Sequence, residues 1–266
     1  MTTTVLMVTF GAVLLHTTIA WLISVLTKRA DVIDPFWGPG FIVVVMAAAW
    51  SGQGAPDKAR VVLVALVAIW GLRLGLHLLT RWMKEPHEDR RYAAMRQAGT
   101  DLWWLRSLIT VFWLQAAILW VVATPLIYAV TSTTEVFRIG VACGIFVYCV
   151  GLFFETVSDY QLTMFRSRSD STGQVLSSGL WKYTRHPNYF GDFVVWWSFF
   201  SISIFCGAPW WTIISPLIMS VLLMKFSGVG MLEKDIKERR LGYSEYVERT
   251  NSFFPWFPKK LSTNDD

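Results

Sequence analysis

The chain has 266 residues, of which 54% are hydrophobic and only 16% charged, and it carries fifteen tryptophans. A soluble domain carries about 25% charged residues, so this composition argues against one and points to an integral membrane protein. The formal net charge of +5 does not indicate a nucleic-acid partner, because the cations sit in loops between apolar runs.

A spanning helix needs ~20 mostly apolar residues. That rule predicts an all-α protein with seven transmembrane helices near residues 3–26, 36–51, 60–82, 106–130, 137–160, 189–206 and 210–230. The first run lacks a basic leader and a small-residue cleavage site, so it reads as a retained helix. Alternate loops are basic: Lys28 and Arg29, then Arg81 through Arg96, then Arg166 through Arg185, then the tail. An odd number of spans with the N-terminus outside and the C-terminus cytoplasmic explains that alternation. Beyond residue 230 the alternating charges predict a helix on the cytoplasmic surface, with Phe253, Phe254, Trp256 and Phe257 at headgroup level. Cys143, Cys149 and Cys206 all fall in apolar segments and read as small buried packing residues, with no metal-ligand spacing and no disulfide framework.

Polar residues gather at the predicted cytoplasmic ends. ADVIDPFWGPG places Asp31 and Asp34 at the mouth of the second helix, where Asp34 before Pro35 has the type of an N-cap. The alternative is a carboxyl group held at the bilayer edge and available as an acid. In the third helix Arg73 and His77 are four apart and share a face. Arg73 lies inside an apolar run, where an arginine faces a cavity or an anion, whereas His77 alone reads as structural. EPHEDRRY then packs six ionisable residues and Tyr92 into a loop, which suits either a solvated charge run or a site. Glu155, Asp159 and Arg166 recur at helical spacing at the end of the fifth helix, where acids are costly unless they line a polar pocket. Arg166 and Arg168 bring guanidinium groups of the kind that hold phosphates. Finally, WKYTRHPNYFGD brings Arg185, His186, Asn188, Tyr189 and Asp192 together at the start of the sixth helix, and Gly191 admits a backbone or a ligand at close range.

SDYQ, GLWKYT and RHPNYFGD, followed by the aromatic tail, resemble the C-terminal half of the membrane steroid 5α-reductase and sterol reductase family. With DPFWG, RLGLHLLTR and EDRRY the resemblance covers most of the chain and is closest to a bacterial branch of that family. The RHP-x-Y-x-G core is also shared with the isoprenylcysteine carboxyl methyltransferases. The resemblance implies one membrane domain over residues 1–266, with substrate-side helices in 1–130 and NADPH bound from the cytoplasm by 131–266. Asp159, Arg166, Asn188 and Asp192 match cofactor residues of the family, and Arg73 is similar to an arginine that reaches the dinucleotide. Glu155, Arg185, His186 and Tyr189 are drawn into the same site by their neighbourhood. Asp34 is the nearest counterpart of the family's substrate-polarising acid, and Trp70 stands near the place of its catalytic tyrosine, a role Tyr92 could take over. The implied activity is NADPH-dependent reduction of an enone double bond in a lipophilic substrate, in the cytoplasmic membrane. An S-adenosylmethionine-dependent methyltransferase and a non-catalytic lipid-binding protein are the alternatives.

Overall fold

The computed structural model describes residues 2–52, 57–98, 102–226 and 242–259. Every regular element among them is helical. Five helical segments are long and apolar enough to cross a membrane: Thr3–Thr27, Ala30–Ser51, Lys58–Lys84, Trp103–Val122 and Arg138–Arg166. Their outward faces are apolar, as at Leu26 and Trp50, each 83% exposed, so hydrocarbon rather than water suits them as solvent. The apolar segment Trp210–Met224 is shorter.

The chain divides into two compact units, Met1–Val141 with Ile202–Ser215, and Ala142–Ser201 with Pro216–Asp266. The first unit begins with α1 (Thr3–Thr27), whose buried residues Val5, Thr9, Val13, Thr17, Ala20 and Ser24 form one stripe. That stripe is small, as close helix packing in lipid requires. A 3₁₀ segment, Ala30–Phe36, leads into α2 (Trp37–Ser51), and α3 runs from Lys58 to Lys84. Helices α2 and α3 meet through bare backbone, since a Cβ placed on Gly71 would lie 2.6 Å from the Gly38 carbonyl oxygen. Beyond the loop, α4 (Arg90–Gln97) is capped by Asp89, whose Oδ1 accepts from Arg91 N at 2.9 Å.

The expected fourth helix, 106–130, is interrupted. It consists of α5 (Trp103–Ser107), a π turn (Leu108–Trp113), α6 (Leu114–Val122) and α7 (Thr124–Thr131). Pro125 sits in the first turn of α7, where its missing N–H costs no helical bond. Tryptophan N–H groups tie this region to α1: Trp21 donates to the Trp104 carbonyl at 2.7 Å and Trp120 to Thr9 Oγ1 at 3.0 Å. At the opposite end Arg60 donates to the carbonyls of Ala129 and Thr134, at 3.1 and 2.6 Å.

Two long helices, α8 (Arg138–Arg166) and α9 (Pro187–Phe205), supply much of the second unit. They also touch backbone to backbone, because a Cβ on Gly151 would lie 2.8 Å from the Gly191 carbonyl oxygen. Helix α10 (Ile214–Val221) and α11 (Tyr243–Arg249) follow. The tail then folds back on the segment before α9: Thr184 Oγ1 donates to the Phe253 carbonyl at 2.8 Å, and Trp256 N to the Tyr183 carbonyl at 3.0 Å.

Two expectations are corrected here. Phe253 does not face outward to headgroups; it is buried, with its ring edge-on to Phe190 and Phe193. Phe254, Trp256 and Phe257 do remain exposed. Cys143 and Cys149 lie on the exposed face of α8, and only Cys206 is buried. The expected surface helix falls mostly on residues 227–241, outside the described part of the chain.

Candidate functional site

In the first unit, charged residues distant in sequence converge on the 3₁₀ segment. Asp31 is buried, and its carboxylate accepts from Arg29 Nε and Nη2 at 3.1 and 2.9 Å. The same carboxylate takes the Trp82 indole N–H at 3.0 Å and the Asp89 backbone N–H at 2.9 Å. Glu88 accepts the Ala30 N–H and a bidentate Arg96 guanidinium, whose bonds measure 3.1 and 2.8 Å. EPHEDRRY is therefore an ordered clasp between the 28–36 and 82–96 segments, not a solvated charge run. Hydrogen bonds from the Arg91 side chain and backbone hold the Asp89 carboxyl below the usual carboxylate range, against the upward push of burial.

The clasp brings Tyr92 to Asp34. Tyr92 Oη donates to Asp34 Oδ1 at 2.9 Å, and Arg91 Nη2 lies 3.6 Å from Asp34 Oδ2. Asp34 is not an N-cap as its position before Pro35 suggested. The first residue of α2 is Trp37, preceded by Phe36 with no side-chain cap. Because the 3₁₀ segment carries Pro35 inside it, Asp34 is turned toward α4 instead. Gln115 Nε2 donates to Tyr92 Oη at 3.2 Å, and the Trp37 indole N–H donates to Gln115 Oε1. The Tyr92 ring packs in an apolar cluster with Ile33, Trp103 and Phe112. Burial and then the charge of Asp34 push the phenol well above its ordinary value, so it stays protonated. Asp34 borders a cleft of about 400 Å³, with Leu78, Arg81, Trp82 and His87 among its other walls. That volume falls in the range of small-molecule sites.

Trp70, the residue near the expected tyrosine position, is 1% exposed and packed against Phe41 with centroids 5.7 Å apart. Arg73 and His77 lie half-buried on successive turns of α3.

The second unit holds its own polar cluster. Glu155, Ser158 and Asp159 are buried on α8, in line with Gly151 one turn earlier. Asn188, in the first turn of α9, donates from Nδ2 to Asp159 Oδ1 at 3.1 Å. His186 is 6% exposed, with its ring stacked on Tyr189 at a centroid distance of 5.7 Å. Asp192 lies half-buried one turn beyond Asn188. Arg185 Nη1 donates to the carbonyls of Val247 and Thr250, so it ties the tail to the start of α9. Arg166 and Arg168 are exposed at the end of α8.

The structure thus joins Asp34 to Tyr92, Asp159 to Asn188 and His186 to Tyr189. Sequence reasoning missed Gln115 and Trp37. The signal was present for Gln115, a lone amide in the apolar run VFWLQAAILWVV, since a polar side chain at such depth marks an interior-facing position.

Apolar helices carrying buried ionisable clusters at their ends define a multi-pass integral membrane protein. The chain belongs to the family described as Protein of unknown function (DUF1295), whose pattern matches residues 20–250. That family belongs in general to the steroid 5α-reductase-like superfamily. No curated protein and no solved structure matches the chain.

Proposed function

We propose that the chain is an NADPH-dependent reductase of a carbon–carbon double bond conjugated to a carbonyl, in a lipophilic steroid-like or isoprenoid substrate. The observation that carries this reading is the 2.9 Å bond from Tyr92 to Asp34, a residue that borders the cleft. Reduction of an enone takes up one hydride and one proton, and negative charge grows on the carbonyl oxygen as the hydride arrives. A donor aimed at that oxygen in a water-poor site stabilises the charge without reorganising. Asp34 enters the reaction as the neutral acid and gives its proton to the carbonyl oxygen in the cleft, while Tyr92 keeps its own proton and donates a hydrogen bond to Oδ1 of the carboxylate that forms. Arg91, 3.6 Å from the other carboxylate oxygen, steadies the negative charge left behind.

Bound NADPH would supply the hydride. The donor set of the second unit suits such a cofactor. Asn188 and Asp159 offer an amide and a carboxylate for ribose hydroxyls or a carboxamide, with Glu155 and Asp192 nearby on the same helices. Exposed Arg166 and Arg168 offer guanidinium groups for phosphates. Arg185 acts on the tail, and His186 with Tyr189 forms a packed wall. The basic loops favour seven spans with the N-terminus outside, in a bacterial cytoplasmic membrane.

Titrating the purified full-length protein in nanodiscs with NADPH, and separately with S-adenosylmethionine, tests the reading. Saturable NADPH binding at micromolar concentrations is expected. Binding of S-adenosylmethionine alone would replace the reductase with a methyltransferase, and binding of neither would leave a lipid-binding protein.

A further inference from the structure

The polar string behind Tyr92 has a direction, and the chemistry of its first member sets it. An indole N–H can only donate. The Gln115 atom facing Trp37 must therefore be the amide oxygen, which turns the amide nitrogen toward Tyr92. That nitrogen in turn can only donate, so it occupies a lone pair of Tyr92 Oη at 3.2 Å. The phenolic proton is left one good acceptor, Asp34 Oδ1 at 2.9 Å. Every donor in the string points the same way, from α2 through α6 and α4 to the residue on the cleft.

We propose that Trp37 and Gln115 are positioning residues that fix this polarity, so that the Tyr92 proton is always presented toward Asp34 and the cleft. Without Trp37 the Gln115 amide could turn over and offer its oxygen to Tyr92, drawing the phenolic proton inward and away from any substrate. The π turn Leu108–Trp113 immediately precedes Gln115. A π turn takes in one residue more than an α turn, which rotates the following side chains and is frequent next to functional sites. The role assigned to Tyr92 rests on the reductase reading, but the direction of the string does not.

The test replaces Tyr92 with 3,5-difluorotyrosine in the full-length protein in nanodiscs and titrates the phenolate absorbance. Gln115 donates to Oη and so favours the phenolate. Gln115→Leu should therefore raise the midpoint by about one pH unit, the equivalent of one ordinary hydrogen bond. Trp37→Phe should raise it by less, because the released amide populates both orientations. Should Gln115→Leu misfold, as judged by gel filtration, Gln115→Glu keeps the shape and should raise the midpoint further by adding a charge. An unchanged or lowered midpoint in the Gln115 variants overturns the donor assignment. No shift in Trp37→Phe, with a shift at Gln115, overturns the role of Trp37. None of these outcomes depends on NADPH binding, so the reductase reading fails or stands separately.

Discussion

The Tyr92 ring is 7% exposed, yet its oxygen meets a carboxylate on one side and an amide on the other. Apolar neighbours fix where the ring sits, and the two polar partners fix what its proton does. Tyr92→Phe keeps the first and removes the second. Turnover, followed as NADPH oxidation against a panel of lipophilic enones, should fall by about 10²–10³, with NADPH affinity unchanged. Retention of full turnover would remove Tyr92 from the chemistry. Asp34 and Tyr92 could each be singled out in the sequence because ionisable or phenolic groups beside apolar runs are uncommon. Their contact could not, because the two lie 58 positions apart and meet only through the Arg29, Asp31 and Glu88 clasp that draws the loops together. Asp31, the other acid at the mouth of the second helix, takes no part in that pair: its carboxylate holds those loops together.

Helix pairing in both units depends on positions with no side chain. Gly191 faces the backbone of α8 at Glu155 and Gly151. Gly191→Val would drive methyl groups into that backbone and should destabilise the protein by about 1–3 kcal/mol, read as a lower melting temperature. Gly11→Ala, at a position with nothing within 4 Å, is the matched control and should not lower it. Equal melting temperatures for the two variants would deny the close α8–α9 approach. The close approach at Gly191 was legible from the small residue among bulky aromatics, although the sequence left open whether a backbone or a ligand filled it. The 3₁₀ segment was not legible, because Asp-Pro reads equally well as a helix start. The α-helix itself begins at Trp37, after a 3₁₀ segment that carries Pro35 inside it.

At the level of the whole chain, hydropathy located the long apolar helices well, since lipid imposes a minimum length on each. It was less successful with α5 through α7, where a π turn and Pro125 divide one apolar run. Composition says little about such breaks. The proposed orientation makes a direct prediction. In a background with Cys143, Cys149 and Cys206 replaced by serine, Lys84→Cys should react with an impermeant maleimide only after cells are lysed. Asp57→Cys should react before lysis. The reverse pattern would invert the protein and place the cleft outside the cell.

Gly38 and Gly71 leave α2 and α3 locked carbonyl against backbone, beside the segment that carries Asp34. Neither position can accept even a methyl group, so this helix contact cannot be altered one residue at a time. A chain built on the same frame must therefore retune its appetite for different molecules through the side chains that line the cleft, such as Leu78, Arg81 and His87. A directed-evolution library confined to those positions is the economical place to look for altered selectivity.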